Sequence, residues 1–466
     1  MRILTKKGDE IILASDDKSG GEIGDNIILF DSDGRGVLVQ LVEINFTSQF
    51  HQNHSETVNS GNLSYSDRYF RYKILMEAKR ENTGIKLSDW SGWIPASVFE
   101  VVKIKLQWLL ENIRGKPRYP IYLGRTVQHE RISFDAYHLQ GITLIIGKKG
   151  SGKSHLSKLI LTELMRKGCR LIVFDINDEY GSLKNNTHKD GLKSAEKKIS
   201  EKIIRLNPGE NLKFTLEYVG MDILYDVLTG PLRLPEVSAI SFRNIWTHLE
   251  RKNYLRINEL VKAINSENNP YVREALYRRI QQVLATEIFT DEDEDKPLLQ
   301  QLLDEIGKGG ALIVNLKRTD QIARIITVQT ILGKIQSLLE KGEPPLWLVA
   351  EEAHFYIPKA SLEDIVSRMR HIGAYQIYIT NSPQSLPEMI IRQSDNLFLF
   401  KLVDRRDIEY ISPAANMDEE TLNPLVKSLP FRRCLVTGEL TKNYPCIIDI
   451  NPVKIFDSGE TRLFLK

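Results

Sequence analysis

The first hundred residues carry their apolar positions in short runs. Ile11-Ile12-Leu13, Asn26 to Phe30, Val37 to Val42 and Tyr69 to Met76 each read as a β-strand, set apart by the turn clusters Asp16 to Gly21 and Asp31 to Gly36. Short strands between regular turns predict a small β-barrel. Helical spacing from Phe99 to Ile113 and a proline-containing link, Gly115 to Pro120, follow. The pattern then changes. Apolar runs without alternation recur at Gly141–Ile146, Arg170–Phe174, Lys202–Leu206, Gly310–Leu316, Leu346–Ala350, Gln376–Thr380, Asn396–Phe400, Arg433–Val436 and Cys446–Ile450. Stretches of helical periodicity fall among the earlier of them, which predicts an α/β core built on a parallel sheet. Residues from about 217 to 300 carry helical spacing at Val237–Leu249, Ile257–Ile264 and Val272–Leu284, and are expected to be a helical insertion in that sheet. The expected domains are 1–120 for barrel and linker, 121–450 for the core, and 451–466 for a C-terminal tail.

Composition changes this picture little. The 466 residues are 42% hydrophobic and 27% charged, an ordinary globular balance. A formal net charge of +2 rules out a polycation that coats nucleic acid everywhere, so any DNA-binding residues must be gathered on one surface or in a channel. Cys169, Cys434 and Cys446 are far apart without metal-site spacing, as expected for reduced thiols in a cytoplasmic protein. The N-terminus has no signal-peptide core, and no uninterrupted apolar stretch is long enough for a bilayer, so no membrane association is expected. Gln49 to Ser66 reads as a polar loop, with His51 and His54 as solvated residues rather than ligands. Trp90 and Trp93 read as hydrophobic packing rather than a base-stacking platform.

The chemistry concentrates at Gly147-Lys148-Lys149-Gly150-Ser151-Gly152-Lys153-Ser154, a G-x-x-x-x-G-K-[ST] sequence between a buried strand and a helix. Glycines let the backbone wrap a polyphosphate with its N–H groups turned inward, and the helix start adds partial positive charge. The candidate nucleotide-binding set is Gly147, Lys148, Lys149, Gly150, Ser151, Gly152, Lys153, Ser154 and His155. Lys153 would reach the β- and γ-phosphates of ATP, and Ser154 would hold Mg²⁺.

Hydrolysis needs acids at the end of a neighbouring strand, and Glu351-Glu352-Ala353-His354 follows Leu346–Ala350. Glu351 would hold the Mg²⁺ shell and Glu352 would polarise the attacking water. The first position is ordinarily Asp, and Glu is longer by one methylene. Asn381, at the end of another apolar strand, is a candidate sensor of the γ-phosphate or the lytic water. Asp175 and Glu179 could face the metal site or simply finish their strand.

Taken in order, these motifs resemble HerA-type ATPases of the HerA/FtsK branch of P-loop motors. The resemblance is carried by the N-terminal barrel (the family's HAS-barrel), Tyr122-Leu123-Gly124, the P-loop, and Asp175 with Asp178-Glu179-Tyr180, similar to "D-x-x-x-E-Y". It continues with Gly310–Leu316, Glu351-Glu352-Ala353-His354 against "D-E-A-H", Arg370-x-x-Gly373 against "G-R-K-x-G", and Leu435 to Glu439. It implies a RecA-like core and a ring, usually a hexamer, with ATP between subunits and double-stranded DNA through the centre. A nuclease or other effector commonly acts with such a ring. A trans-acting arginine is expected, and Arg370 holds the matching position. Thr380-Asn381-Ser382-Pro383 stands where the family often has "S-Q-R-P", so that arginine is absent; Arg392, Arg405 and Arg406 are possible substitutes or ordinary ion-paired residues. Lys184, Lys189 and Lys193 are candidates for DNA contact or for a solvated helix face. The alternative to a motor is a ring-shaped ATP-binding scaffold that assembles and regulates an effector in antiviral defence.

Overall fold

The computed structural model describes residues 2–15, 21–46, 68–82, 84–98, 100–180, 199–291, 299–357 and 368–452. It separates into two compact units, one of Met1–Leu159, Asn381–Gln384 and Ile391–Pro452, the other of Ile160–Thr380 and Ser385–Ile390.

The first unit opens with β1 (Arg2–Lys7), β2 (Glu10–Ser15), β3 (Asn26–Phe30), β4 (Arg35–Phe46), β5 (Arg68–Glu81), β6 (Gly84–Asp89) and β7 (Glu100–Lys103). They form one antiparallel sheet in the order β1-β2-β5-β4-β3-β7, with β6 added on β5. Its core gathers Ile11, Leu13, Leu29, Val39, Phe70 and Ile74, and Trp90 and Trp93 pack against that cluster. Trp90 Nε1 donates to the Trp93 carbonyl at 2.8 Å and the Arg35 guanidinium lies 4.2 Å from the Trp93 ring centre, so both indoles are structural. The helix expected from Phe99 starts later, at Leu106–Arg114. Residues 100–103 are instead a strand, because pairing with β3 (Val102 opposite Ile28) satisfies a backbone whose short apolar run fits either period.

In the described residues the chain continues through β8 (Pro120–Thr126), β9 (Arg131–Asp135), β10 (Ile142–Ile146), β11 (Leu171–Asp175), β12 (Ile203–Leu206), β13 (Ala311–Asn315), β14 (Leu346–Glu351), β15 (Ala374–Thr380), β16 (Asn396–Leu399), β17 (Arg433–Gly438) and β18 (Cys446–Ile450). Within the first unit β10 runs parallel to β16, but β16-β17-β18-β8-β9 are antiparallel neighbours. The parallel sheet expected for the core thus has an antiparallel flank. The connections β8–β9 and β17–β18 are too short for a parallel crossover, which needs about a dozen residues or more. The N-terminal sheet is tied to the β17–β18 hairpin: Gln40 Nε2 donates to the Pro445 carbonyl at 2.7 Å and the Tyr444 hydroxyl to Asn26 Oδ1 at 2.5 Å, all buried.

The second unit holds β12-β13-β11-β14-β15, parallel throughout. Strands β11, β13 and β14 are buried along their whole length, as their unbroken apolar sequences require. The helical insertion lies between β12 and β13 as Leu216–Val219, Met221–Thr229, Glu236–Arg251, Ile257–Asn265 and Pro270–Leu284. Its last helix starts sharply because Asn269 accepts from the N–H groups of Tyr271 and Val272, with Pro270 at the first position. Among the described residues, one helix, Gln321–Glu340, is long and apolar enough on average to cross a membrane, although polar residues interrupt it. Its Ala323, Ile326, Ile331 and Ile335 are buried inside this unit.

Candidate active site

The nucleotide loop lies in the first unit. Strand β10 is completely buried and releases the chain into Gly147–Gly152, after which the helix Lys153–Arg166 begins. Two glycines are required by close approach. A Cβ on Gly147 would stand 2.5 Å from Phe400 Cβ, and one on Gly152, at φ +118°, would stand 3.1 Å from Phe400 Cε1 and 3.3 Å from Arg432 Cα. The loop is held from outside by backbone bonds, Lys148 N–H to the Lys401 carbonyl at 2.9 Å and Arg432 N–H to the Ser151 carbonyl at 3.0 Å. Lys148, Lys149 and Gly150 are exposed at the loop tip, while Ser151 and Lys153 are buried. Lys153 Nζ is folded back into the loop, donating to the carbonyls of Gly147 at 2.7 Å and Lys148 at 3.2 Å. Ser154 and His155 open the helix half-buried, and His155 Nε2 lies 2.9 Å from the Asn451 carbonyl.

The acidic residues lie in the second unit. Glu351 ends β14 with 3% exposure, and Glu352 follows in the left-handed region at φ +48°. An L-residue with a long side chain adopts that conformation only under constraint. Here the Glu352 N–H donates to the Ile379 carbonyl at 2.8 Å, and Thr380 Oγ1 donates to Glu352 Oε2 at 2.8 Å. His354 Nδ1 is 3.8 Å from Glu352 Oε2 and 3.1 Å from Ser385 Oγ. Burial lowers the His354 pKa, the Glu352 charge opposing it.

Asp175 is wholly buried at the end of β11, and its two oxygens accept from the N–H groups of Glu179 at 3.0 Å and Tyr180 at 2.9 Å. It therefore finishes its strand and also stands in the acidic cluster. Burial pushes the Glu351 carboxyl up to about 8, with the charges of Glu179 and Asp175 adding to it and a hydrogen bond from Asn177 opposing. Asp175 rises to about 6, again chiefly through burial. Glu351 Oε2 is buried without a hydrogen-bond partner among the described residues. A carboxylate in that state, beside two more acids, fits a divalent cation. Among the described residues no group of three or more His, Cys, Asp or Glu is placed to hold a metal unaided, so a cation here would take most of its shell from water and phosphate oxygens.

A pH dependence follows. Below about 4.5, the ordinary value for Glu351, folded and unfolded chains both carry its proton; between there and about 8 only the folded chain retains it. Folded stability in EDTA is thus expected to fall as pH rises through that window, with Asp175 contributing between about 3.8 and 6. Thermal melts between pH 6 and 8 check this, and Glu351→Gln should flatten the slope; an unchanged slope would show Glu351 ionised in the fold.

The remaining predicted residues fall as follows. Asn381 is exposed just past β15. Arg370 is exposed in the turn before β15, where the Gly373 N–H donates to its carbonyl at 3.3 Å. Arg392 ends the short helix Glu388–Arg392. Arg405 pairs with Glu409 at 3.0 Å and Glu419 at 2.8 Å, and Arg406 with Asp404 at 3.2 Å, so these two are ordinary ion-paired arginines. Lys184, Lys189, Lys193, His51 and His54 lie outside the described residues. Arg432, which the linear motifs give no reason to single out, turns out to support the nucleotide loop.

Residues 121–335 match the family described as "Helicase HerA, central domain". A probable helicase of Methanocaldococcus jannaschii is 22% identical over 383 residues, 73% of this chain and 72% of that protein. The DNA double-strand break repair helicase HerA of Sulfolobus acidocaldarius is 23% identical over 332 residues, 66% of this chain and 64% of that protein. Among solved structures, VirB4 of Thermoanaerobacter pseudethanolicus superposes with a TM-score of 0.55 at 16% identity, covering 73% of this chain and 98% of that one. The plasmid coupling protein TrwB in complex with ADP and Mg²⁺ superposes with a TM-score of 0.53 at 15% identity, covering 76% and 95%. The resemblance read from the motifs is supported: residues 121–335 are similar to the HerA central domain, and the fold is that of VirB4 and TrwB.

Proposed function

We propose that this chain is an ATP-driven motor that moves along double-stranded DNA as a homo-hexameric ring in the cytoplasm, together with a nuclease or other effector protein. The observation that carries this reading is the P-loop, with Lys153 Nζ turned into it, within residues matched to the HerA central domain. Main-chain N–H groups from Gly147 to Ser154 bind the phosphates of ATP, with His155 beside them and Lys153 on the β- and γ-oxygens. Ser154 would hold Mg²⁺ and Glu351 is the proposed acid of its shell; the ion, when bound, would supply charge neutralisation on the phosphates. Glu352, held by Thr380, orients the attacking water, Asn381 senses the γ-phosphate, and Arg370 serves the neighbouring subunit. The names of relatives support the DNA part of this reading, since one is a double-strand break repair helicase. Lys184, Lys189 and Lys193 are the proposed DNA contacts.

A second reading, a ring scaffold that assembles an effector in antiviral defence, is favoured by one observation. Glu351 replaces the usual Asp, and its burial disfavours ionisation near neutral pH. The two readings part on one assay: ATP turnover with and without long duplex DNA at low salt, run beside native mass measurement. A motor shows several-fold stimulation that fades as salt rises. Turnover that stays flat on adding duplex overturns it.

A further inference from the structure

We propose that Phe431 and Arg432 complete the nucleotide site at its sugar and base end, Phe431 as a stacking face for the purine and Arg432 as a cation for α-phosphate and ribose oxygens. This rests on the reading of Gly147 to Ser154 as a nucleotide loop and extends it to residues outside any linear motif.

Arg432 is built into the loop. Its N–H holds the Ser151 carbonyl, and its Cα and Cγ stand 3.3 and 3.5 Å from the place a Cβ on Gly152 would take. The side chain therefore leaves the backbone alongside Gly152, at the edge of the loop. Its own carbonyl accepts from Ile450 N–H at 2.8 Å, so the strand hairpin fixes it from the other side.

Two features of Arg432 are costly for structure alone. It sits at φ +63°, a conformation natural to Gly or Asn and unfavourable for a long side chain. Its Nε is shielded from water without a hydrogen-bond acceptor among the described residues. A buried guanidinium N–H without an acceptor is expensive, and anionic or ribose oxygens are acceptors that would satisfy it. Phe431 supplies the third observation. The residue is 64% exposed, although large apolar side chains ordinarily bury themselves, and its ring centre lies 5.0 Å from the Arg432 guanidinium carbon. A ring stiffened on one side by a cation, next to a phosphate-binding loop, suits a flat heteroaromatic base. Stacking of this kind reads no base edge, so ATP and GTP should bind with similar affinity.

Calorimetric titration of Mg²⁺ with ATPγS and, separately, with inorganic tripolyphosphate tests the proposal. Tripolyphosphate has the phosphates without sugar or base. Phe431→Ala should weaken ATPγS about tenfold and leave tripolyphosphate unchanged. Arg432→Asn, which keeps a residue at ease with positive φ, should weaken ATPγS at least about tenfold while the melting temperature stays near that of the wild type. Folded variants that bind ATPγS within about twofold of wild type would overturn the proposal and leave the loop assignment standing. A changed native mass with unchanged affinity would overturn it too, by placing Phe431 in a subunit contact. Wild-type protein that binds neither probe would instead overturn the loop assignment itself.

Discussion

Lys153→Ala should abolish nucleotide binding at micromolar concentrations while leaving the protein folded. The loop is kept in shape by backbone bonds from Lys401 and Arg432, not by the lysine alone. Loss of Nζ therefore removes ligand contacts more than it removes structure. Two charge-assisted hydrogen bonds to phosphate, at about 1.5–3 kcal/mol each, correspond to a dissociation constant weakened by at least about 100-fold. Calorimetry with Mg²⁺ and ATPγS reads the loss, and an unchanged melting temperature separates it from unfolding. A variant only a few-fold weaker would mean that the lysine seen against Gly147 and Lys148 serves the loop and not a ligand.

The second large effect is expected at Glu352. Glu352→Gln preserves shape and can still accept from Thr380, so the strained turn at φ +48° should survive. What is lost is a carboxylate able to take a proton from water. Turnover should fall by about 10²- to 10⁴-fold with binding unchanged, the range for removing a positioned general base. Thr380→Val tests the positioning separately. It leaves the carboxylate without its 2.8 Å donor, and turnover should fall about tenfold with no change in nucleotide affinity. If Glu352→Gln hydrolyses ATP at the wild-type rate, the catalytic role passes elsewhere.

The parts of the site that could be read in advance are those whose chemistry is local. Eight consecutive residues specify the loop at Gly147, and an apolar strand followed by two acids specifies Glu351 and Glu352. N-terminal strands such as Asn26–Phe30 and the hairpin strand Cys446–Ile450 were equally plain, because their apolar runs are bounded by turn residues. What could not be read depends on partners distant in sequence. Glu100–Lys103 becomes a strand only through pairing with β3, and the antiparallel flank follows from which strands meet. Arg432 carries no motif; its place beside Ser151 and Gly152 exists only in three dimensions. Thr380 ended a recognisable strand, but nothing in its neighbours announced a bond to Glu352.

The seam formed by Asn26, Gln40, Tyr444 and Pro445 limits how this chain can be recombined. Chimaeras that exchange only the opening sheet with that of a relative would strand Gln40's or Tyr444's partners in an interior without water, and the misfit would travel along the hairpin to Arg432. Graft boundaries should accordingly move residues 1–105 and 430–452 as one cassette, although they are far apart in the sequence.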